Sequence, residues 1–307
     1  MVDDRNSPVA SWLRTRFPFH RGIQRQIRET SGTTKVEPPE GAVFGTVGGA
    51  IDWWLRVVVD PDEPQLDLAF SGIRLLGDHP AAGLGIELLG SYGISILNHD
   101  LEAEKPARLT ESGTETQARV CYALALFTEV FRAPIAQSKL LSLQQDSSVD
   151  DLLGLASDDE VADLIAMRTE SERSLLPYLP SGAVVCGPTF EGSRDLSADA
   201  DLIVGDLLLE LKATRGGKPR GDGKRTIRFE RSDVDQLLGY LLMDYTDAYG
   251  IAQVGVYAPR FASFNSWPVE WFLAELAGRV VDLGEARDQF KSVLQEELPQ
   301  YLESLRR

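Results

Sequence analysis

Alternation of apolar and polar residues predicts a β-hairpin between residues 199 and 214. The run reads DADLIVGDLLLELKAT, with Gly205 and Asp206 between two apolar stretches. Glycine at the first loop position is what a two-residue type II′ turn requires, and such a loop fixes how the strands pair. The residues expected to lie opposite each other are Val204 and Leu207, Ile203 and Leu208, Leu202 and Leu209, Asp201 and Glu210, and Asp199 and Lys212.

The two faces of this hairpin differ in character, because successive side chains of a strand point to opposite sides. One face is wholly apolar and is predicted to be core: Ala200, Leu202, Val204, Leu207, Leu209, Leu211 and Ala213. The other face combines apolar with charged residues: Asp199, Asp201, Ile203, Leu208, Glu210 and Lys212. We therefore expect any chemistry at the charged end of the second face.

Amphipathic periodicity predicts helices on both sides of the hairpin. They are expected around residues 12–29, 50–58, 114–132, 158–176, 232–245, 269–277 and 285–305. Ser157 is predicted to cap the fourth of these helices, and a capping box at 232–235 is predicted to open the fifth. Short apolar runs at 183–186 and 249–259 predict two further strands. The predicted organisation is a mainly helical region at 1–150, an α/β core at 151–260 and packed helices at 261–307.

Composition is that of an ordinary globular protein large enough for one large or two modest domains. The chain has 307 residues, 43% of them hydrophobic, and no apolar run of the length that spans a membrane. The amino terminus MVDDRNSPVA lacks the features of a signal peptide, so a cytoplasmic protein without membrane association is expected. With only two cysteines and three histidines, carboxylates are the expected metal ligands.

Charge is unevenly distributed in this acidic chain, whose formal net charge is −16. The segment from residue 213 to residue 231, which we call the basic arm, contains seven basic residues and only two acidic ones. The basic residues, predicted to contact the phosphates of a nucleic acid, are Arg215, Lys218, Arg220, Lys224, Arg225, Arg228 and Arg231. A solvated, flexible loop without a partner is the alternative interpretation.

The charged end of the hairpin predicts a metal site. Opposed Asp201 and Glu210 would place Cβ atoms about 5 Å apart, where like charges repel unless one is protonated, solvent screens them or a cation binds between them. Mg²⁺ or Mn²⁺ suits such an all-oxygen site, with Asp199 as a further ligand. Lys212 on the same face could orient an attacking water or neutralise a phosphate. The alternative is a solvated strand face with an ordinary pair between Asp199 and Lys212.

Three features in order resemble the PD-(D/E)XK nuclease superfamily, in particular its RecB-like and CRISPR-associated branches. They are Asp201, then Glu210-Leu211-Lys212, then a helix that carries Gln236 and Tyr240 as Q-x-x-x-Y. The resemblance covers about residues 158–260. It implies a restriction-endonuclease-like αβββαβ core and a divalent-metal-dependent nuclease, with DNA favoured over RNA and a role in bacterial defence or repair.

The same resemblance assigns roles to single residues. Asp201 and Glu210 would hold the metal, Lys212 would position or activate water, Gln236 would orient the site, and Tyr240 would contact nucleic acid. Two cysteines are too few for the four-cysteine iron–sulfur cluster that some RecB-like nucleases carry, so no such cluster is expected.

An upstream acid that completes the metal shell stays open between three residues. RecB-like nucleases carry a first ligand in a Gly-x-x-His helix, and Gly49–Asp52 resembles it with Asp52 in place of histidine. Glu170 or Glu172, on the helix before the predicted sheet, could serve instead.

Other functions stay open as well. One is a catalytically inactive nuclease-fold subunit that binds nucleic acid or protein, and another is a small-molecule enzyme that uses the carboxylates. A homo-oligomer, or a larger complex with a partner subunit, is compatible with either.

Overall fold

The computed structural model describes residues 4, 6–41, 43–61, 65–92, 94–97, 100–103, 112–132 and 135–306. It is a mixed α/β protein with many helices and a five-stranded mixed sheet. The helices are α1 Pro8–Arg16, α2 Arg21–Ser31, α3 Phe44–Val59, α4 Asp67–Leu75, α5 Pro80–Ser91, α6 Thr114–Arg132, α7 Val149–Leu153, α8 Asp158–Ser174, α9 Arg231–Met243, α10 Val269–Ala277, α11 Leu283–Ser292 and α12 Leu298–Leu305. The strands are β1 Ile94–Leu97, β2 Asp100–Ala103, β3 Val184–Cys186, β4 Leu202–Val204, β5 Leu207–Leu211, β6 Gln253–Ala258 and β7 Ser263–Pro268.

The chain divides into two compact units. The first comprises Met1–Lys35 and Ser174–Arg307 and contains the five-stranded sheet, and the second comprises Val36–Arg173 and is mainly helical. We call them the sheet unit and the helical unit. The first 35 residues belong to the sheet unit because α1 and α2 bury Leu13, Ile23 and Ile27 in the same apolar cluster as α9.

The helical unit is built around α6, as its apolar sequence predicts. Its middle, from Val120 to Phe127, is buried on every side. Two tryptophans of α3 pack against α6 and donate hydrogen bonds to it: Trp53 Nε1 to Thr128 Oγ1 at 3.1 Å, and Trp54 Nε1 to Gln117 Oε1 at 3.1 Å. These bonds satisfy the only polar atom of each buried indole ring.

The predicted hairpin is confirmed, together with its register. Leu202 lies opposite Leu209, Ile203 opposite Leu208, and Val204 opposite Leu207. Gly205 has a φ of +58° at the first loop position, which the type II′ turn requires of it. The ladder ends at Leu202 and Leu209, so Asp201 and Glu210 lie one step beyond the last regular pair.

Five strands in sequence order, β3-β4-β5-β6-β7, make the sheet. The pair β5 and β6 is parallel, and all other neighbours are antiparallel. Helix α9 forms part of the crossover that a parallel pair needs. The predicted succession of helix, strand, hairpin, helix and strand is present as α8, β3, β4–β5, α9 and β6.

Both faces of the hairpin are buried, whereas the sequence pattern assigned only one face to the core. Leu202 and Leu209 are buried on the wholly apolar face, and Ile203 and Leu208 are buried on the other. The latter two belong to a cluster with the apolar stripe of α9. Since α9 covers the middle of this face, its polar character is confined to the end that carries Glu210 and Lys212.

Several elements differ from the sequence-based expectation. The helix expected at 12–29 is two helices, α1 and α2, because Pro18 between them removes a backbone donor. The helix expected at 285–305 is interrupted by a π-helical turn at Val293–Glu297, next to Pro299. Helix α9 begins at Arg231, one residue before the expected start at Ser232, and Glu230 is its N-cap.

Strand β7 was not predicted. It pairs antiparallel with β6 at the edge of the sheet, from Ser263 opposite Ala258 to Pro268 opposite Gln253. Polar Asn265 and Ser266 interrupt the apolar alternation that is typical of a strand. An edge strand tolerates these polar residues and the terminal proline.

In the described part of the chain, no helix is long and apolar enough to cross a membrane.

We expect Gly205→Ala to destabilise the protein by about 1–2 kcal/mol or more, because an L-residue is strained at positive φ. A Cβ atom at this position would also lie 3.0 Å from the carbonyl oxygen of Ser181. Urea unfolding measures the loss, and Asp206→Ala in the same loop is the matched control. Equal stability of the two variants would contradict the assigned turn.

Candidate active site

Strand β5 brings Glu210 and Lys212 to one face of the sheet at its end. Glu210 is only 3% exposed, and Lys212 follows the strand with its N–H bound to the carbonyl oxygen of Tyr257 on β6 at 2.8 Å. The Lys212 Nζ atom lies 3.0 Å from Glu210 Oε1. The i, i+2 spacing therefore produces a buried ion pair at the carboxyl end of β5.

Helix α9 completes this arrangement with three residues on one face, at positions i, i+3 and i+7. Lys212 Nζ lies 3.4 Å from Asp233 Oδ1 and donates a hydrogen bond to Gln236 Oε1 at 2.8 Å. Gln236 Nε2 in turn donates to the Tyr240 hydroxyl at 2.6 Å. The amide thus fixes the ammonium on one side and the phenol on the other.

Asp201 lies at the open end of the hairpin. Its Oδ2 atom accepts a hydrogen bond from the backbone N–H of Leu211 at 2.7 Å, in the place where the next ladder bond would form. Its charge acts on Lys212 and on Tyr240, and that of Asp199 acts on Tyr240. The structure therefore joins Glu210, Lys212, Gln236 and Tyr240 by ion pairs and hydrogen bonds, with Asp201 and Asp199 close enough for their charges to act on Tyr240. Their roles as metal ligands or catalytic groups stay predictions.

Electrostatics hold the lysine in its charged form. Burial alone would lower the pKa of Lys212, but the carboxylates of Glu210 and Asp233 outweigh burial and raise the pKa above its ordinary value. Burial raises the pKa of Tyr240, and the negative charges of Glu210, Asp201 and Asp199 raise it further. Lys212 is therefore an ammonium donor and Tyr240 a neutral phenol at physiological pH.

The donor set fits a hard divalent cation. Carboxylate oxygens are the ligands that Mg²⁺ and Mn²⁺ prefer, and Asp201 and Glu210 supply them beside one ammonium. Among the described residues, no group of three or more His, Cys, Asp or Glu side chains is placed to hold a metal. Within the described ranges, Asp201 and Glu210 are the carboxylates suited to a cation here, and water or substrate oxygens would be further ligands.

The upstream acids all lie in the helical unit and pair with arginines of their own helices. Asp52 Oδ2 is 2.8 Å from Arg56, Glu172 Oε1 is 2.8 Å from Arg168, and Glu170 Oε1 is 3.6 Å from Arg173. The pairs of Glu170 and Glu172 are typical of helix surfaces, whereas the Asp52–Arg56 pair is largely buried. A role of any of these acids as a metal ligand stays a prediction.

The basic arm is hydrogen-bonded at its base. Thr226 forms a bridge with Thr33 of the segment after α2 and accepts a hydrogen bond from Gly217 N at 2.9 Å. A turn closes the tip, where Arg220 N donates to the carbonyl oxygen of Lys224 at 2.8 Å. The backbone thus has defined partners, unlike a freely solvated loop.

Five of the seven predicted phosphate-binding side chains in the arm are exposed: Arg215, Lys218, Arg220, Lys224 and Arg228. The other two are engaged inside the protein. Arg225 donates to the Gly217 carbonyl oxygen at 2.8 Å, and Arg231 binds Asp235 at 2.8 Å and the Leu13 carbonyl oxygen at 3.1 Å. These two arginines hold the arm and α9 in place.

Asp233 is the member of the site that sequence reasoning missed. Its Oδ2 atom also accepts from Glu230 N at 2.6 Å, so the residue caps α9 with one oxygen and pairs with Lys212 through the other. The signal was available in its spacing, because Asp233 precedes Gln236 by three residues on a helix. It was read only as part of a capping box.

We expect Lys212→Met to destabilise the protein at pH 7.5 by about 3 kcal/mol, because Glu210 and Asp233 lose their shared counter-ion. The deficit should persist as the pH rises from 7.5 to 9.5, because the raised pKa of Lys212 keeps its ion pairs charged over this range. Urea unfolding at both pH values is the measurement, with exposed Lys218→Met as control. A deficit that disappears at pH 9.5 would contradict the assigned ion pairs.

Comparison of the chain with protein-family models, with curated proteins and with solved structures yields no significant match. The resemblance to PD-(D/E)XK nucleases therefore stays a prediction from the quoted residues.

Proposed function

We propose that this protein is a divalent-metal-dependent nuclease that hydrolyses phosphodiester bonds. One observation carries the proposal: Lys212 is held between Glu210 and Asp233 and fixed by Gln236, beside Asp201, at the open end of a hairpin. A stabilising role alone would be served better by apolar residues, since a buried ion pair adds little net stability. A catalytic role explains why acids and an ammonium are gathered there.

Asp201 and Glu210 would hold Mg²⁺ or Mn²⁺, which when bound polarises a phosphate and lowers the pKa of its water. Lys212 stays protonated, because its pKa is raised. It is therefore suited to stabilise negative charge on the phosphate and to orient the attacking water, rather than to remove a proton. Gln236 keeps the ammonium in place by accepting one of its hydrogen bonds.

The basic arm supports a nucleic acid as the substrate. It follows directly after Lys212 in the chain and exposes five cationic side chains in a protein of net charge −16. Such side chains bind phosphates without reading sequence. The resemblance to RecB-like nucleases favours DNA over RNA, a restriction-endonuclease-like core, and cytoplasmic defence or repair as the setting.

A catalytically inactive scaffold is the second candidate function. It is favoured by the pairing of Lys212 with two carboxylates and by the lack of a three-ligand group among the described residues. Such a protein would bind nucleic acid through the basic arm, or a partner protein, without cleaving. A cleavage assay distinguishes the two functions, because only the nuclease would hydrolyse nucleic acid.

We expect the purified protein to cleave DNA with Mg²⁺ or Mn²⁺ and to be inactive in EDTA. Glu210→Gln and Lys212→Met should each reduce the rate at least about 100-fold, because they remove a metal ligand and a charge on the phosphate. Plasmid, linear and single-stranded DNA and RNA are the substrates, with gel-resolved products. Exposed Glu270→Gln is the matched control and should retain full activity.

Cleavage that persists in both variants would contradict the assigned site or identify a contaminant. Binding without cleavage in the wild-type protein would favour the scaffold. Because Lys212→Met is also expected to lower stability, each variant is assayed at a temperature where its circular dichroism matches the folded wild type.

We expect the triple variant Lys218→Glu, Arg220→Glu and Lys224→Glu to weaken DNA binding and to flatten its salt dependence. Each lost phosphate contact should reduce the slope of log K against log[salt] by about 0.9 for double-stranded DNA. Fluorescence anisotropy at several salt concentrations, with Ca²⁺ replacing Mg²⁺ to suppress cleavage, measures this slope. Arg21→Glu, Arg25→Glu and Arg279→Glu change net charge equally at exposed sites elsewhere, so an equal loss in that variant would contradict a specific role of the arm.

A further inference from the structure

A cavity of about 720 Å³ lies in the sheet unit, and no residue of the candidate active site lines it. Its walls come from α1, α2, the basic arm and the start of α9. The volume lies within the range of small-molecule binding sites. The charged residues that line it are Arg14, Arg28, Arg228, Glu230, Arg231 and Asp235.

Both acids of this cavity already have arginine partners. Arg231 Nε lies 2.8 Å from each carboxylate oxygen of Asp235, and Arg228 Nε donates to Glu230 Oε1 at 2.6 Å. Two of the four arginines are thereby neutralised. The cavity keeps two positive charges in a protein that is acidic as a whole.

Those two charges belong to Arg14 and Arg28. Within the part of the chain that the structure describes, neither forms an ion pair or a side-chain hydrogen bond. Arg14 is half-buried, and the acid on which its charge acts, Asp235, is already bound by Arg231. Guanidinium groups present several N–H donors suited to phosphate oxygens, so a bound anion would supply the missing partners.

The rest of the lining suits an organic group attached to that anion. Ile227 and Phe229 are buried residues of the wall and provide apolar surface. Gln24, whose Nε2 atom donates to the Phe229 carbonyl oxygen at 2.9 Å, and Thr226 add polar groups. A ligand with a phosphate at one end and a ring system at the other would match a cavity that has arginines on one part of its wall and apolar side chains on another.

We propose that this cavity binds a phosphorylated small molecule of nucleotide size, with Arg14 and Arg28 on its phosphate. The ring system lies against Ile227 and Phe229. Neither Glu210 nor Lys212 lines this cavity, so the proposal stands whether or not the protein cleaves nucleic acid.

Isothermal titration calorimetry in EDTA tests the proposal with the four ribonucleoside monophosphates, ATP, adenosine and inorganic phosphate as separate probes. We expect one site per chain for at least one nucleotide, with adenosine and inorganic phosphate each bound at least tenfold more weakly. Arg28→Gln and Arg14→Gln should each weaken nucleotide binding about tenfold or more, because each removes charge-assisted hydrogen bonds. Arg25→Gln, on the same helix but lining a different cavity, should bind within twofold of wild type.

Arg28 is exposed and forms no side-chain bond with any residue in the described ranges, so its variant should fold normally, and the unfolding midpoint checks this. Arg14→Lys, which keeps the charge, separates loss of charge from loss of structure and should retain more affinity than Arg14→Gln. The proposal is overturned if no nucleotide binds, or if both glutamine variants bind like wild type. It is also overturned if inorganic phosphate binds as tightly as the nucleotides, or if a ten-nucleotide single strand displaces them with higher affinity through the same arginines.

Discussion

The ammonium of Lys212 is the interaction on which the site depends, because it joins two elements that are distant in sequence. It binds Glu210 from the end of β5 and both Asp233 and Gln236 from α9. Without this positive charge the two acids would face each other in a poorly solvated place. In the proposed nuclease, an ammonium held by carboxylates would stay charged and would act on a phosphate as a fixed cation.

Burial on both faces of the sheet gives this interaction its geometry. Ile203 and Leu208 pack against α9 and fix the distance between the helix and the strands. The polar side chains of α9 therefore meet the sheet only at the open end of the hairpin. Charge is segregated in the same way. Asp201, Glu210 and Asp233 lie around Lys212 at the open end of the hairpin, while exposed cationic side chains lie on the basic arm that follows Lys212 in the chain.

Local patterns predicted much of this arrangement. The glycine turn predicted the register of the hairpin, the apolar periodicity predicted α6 and α10, and the capping residue Ser157 predicted the start of α8. Two features that sequence reasoning missed in the sheet unit depend on contacts between distant residues. Strand β7 has a weak pattern of its own and forms because β6 offers an edge. Residues 1–35 join the sheet unit through apolar contacts that no short window shows, and Arg14 and Arg28 meet the basic arm only in the folded chain.

Binding of Mn²⁺ followed by electron paramagnetic resonance tests the central claim most directly, because it observes the cation rather than a product. The account predicts a saturable Mn²⁺ site in the wild-type protein that is lost in Glu210→Gln and in Asp201→Asn, and that remains in Glu270→Gln. Equal Mn²⁺ binding in all four proteins, or none in the wild type with or without DNA, would contradict it.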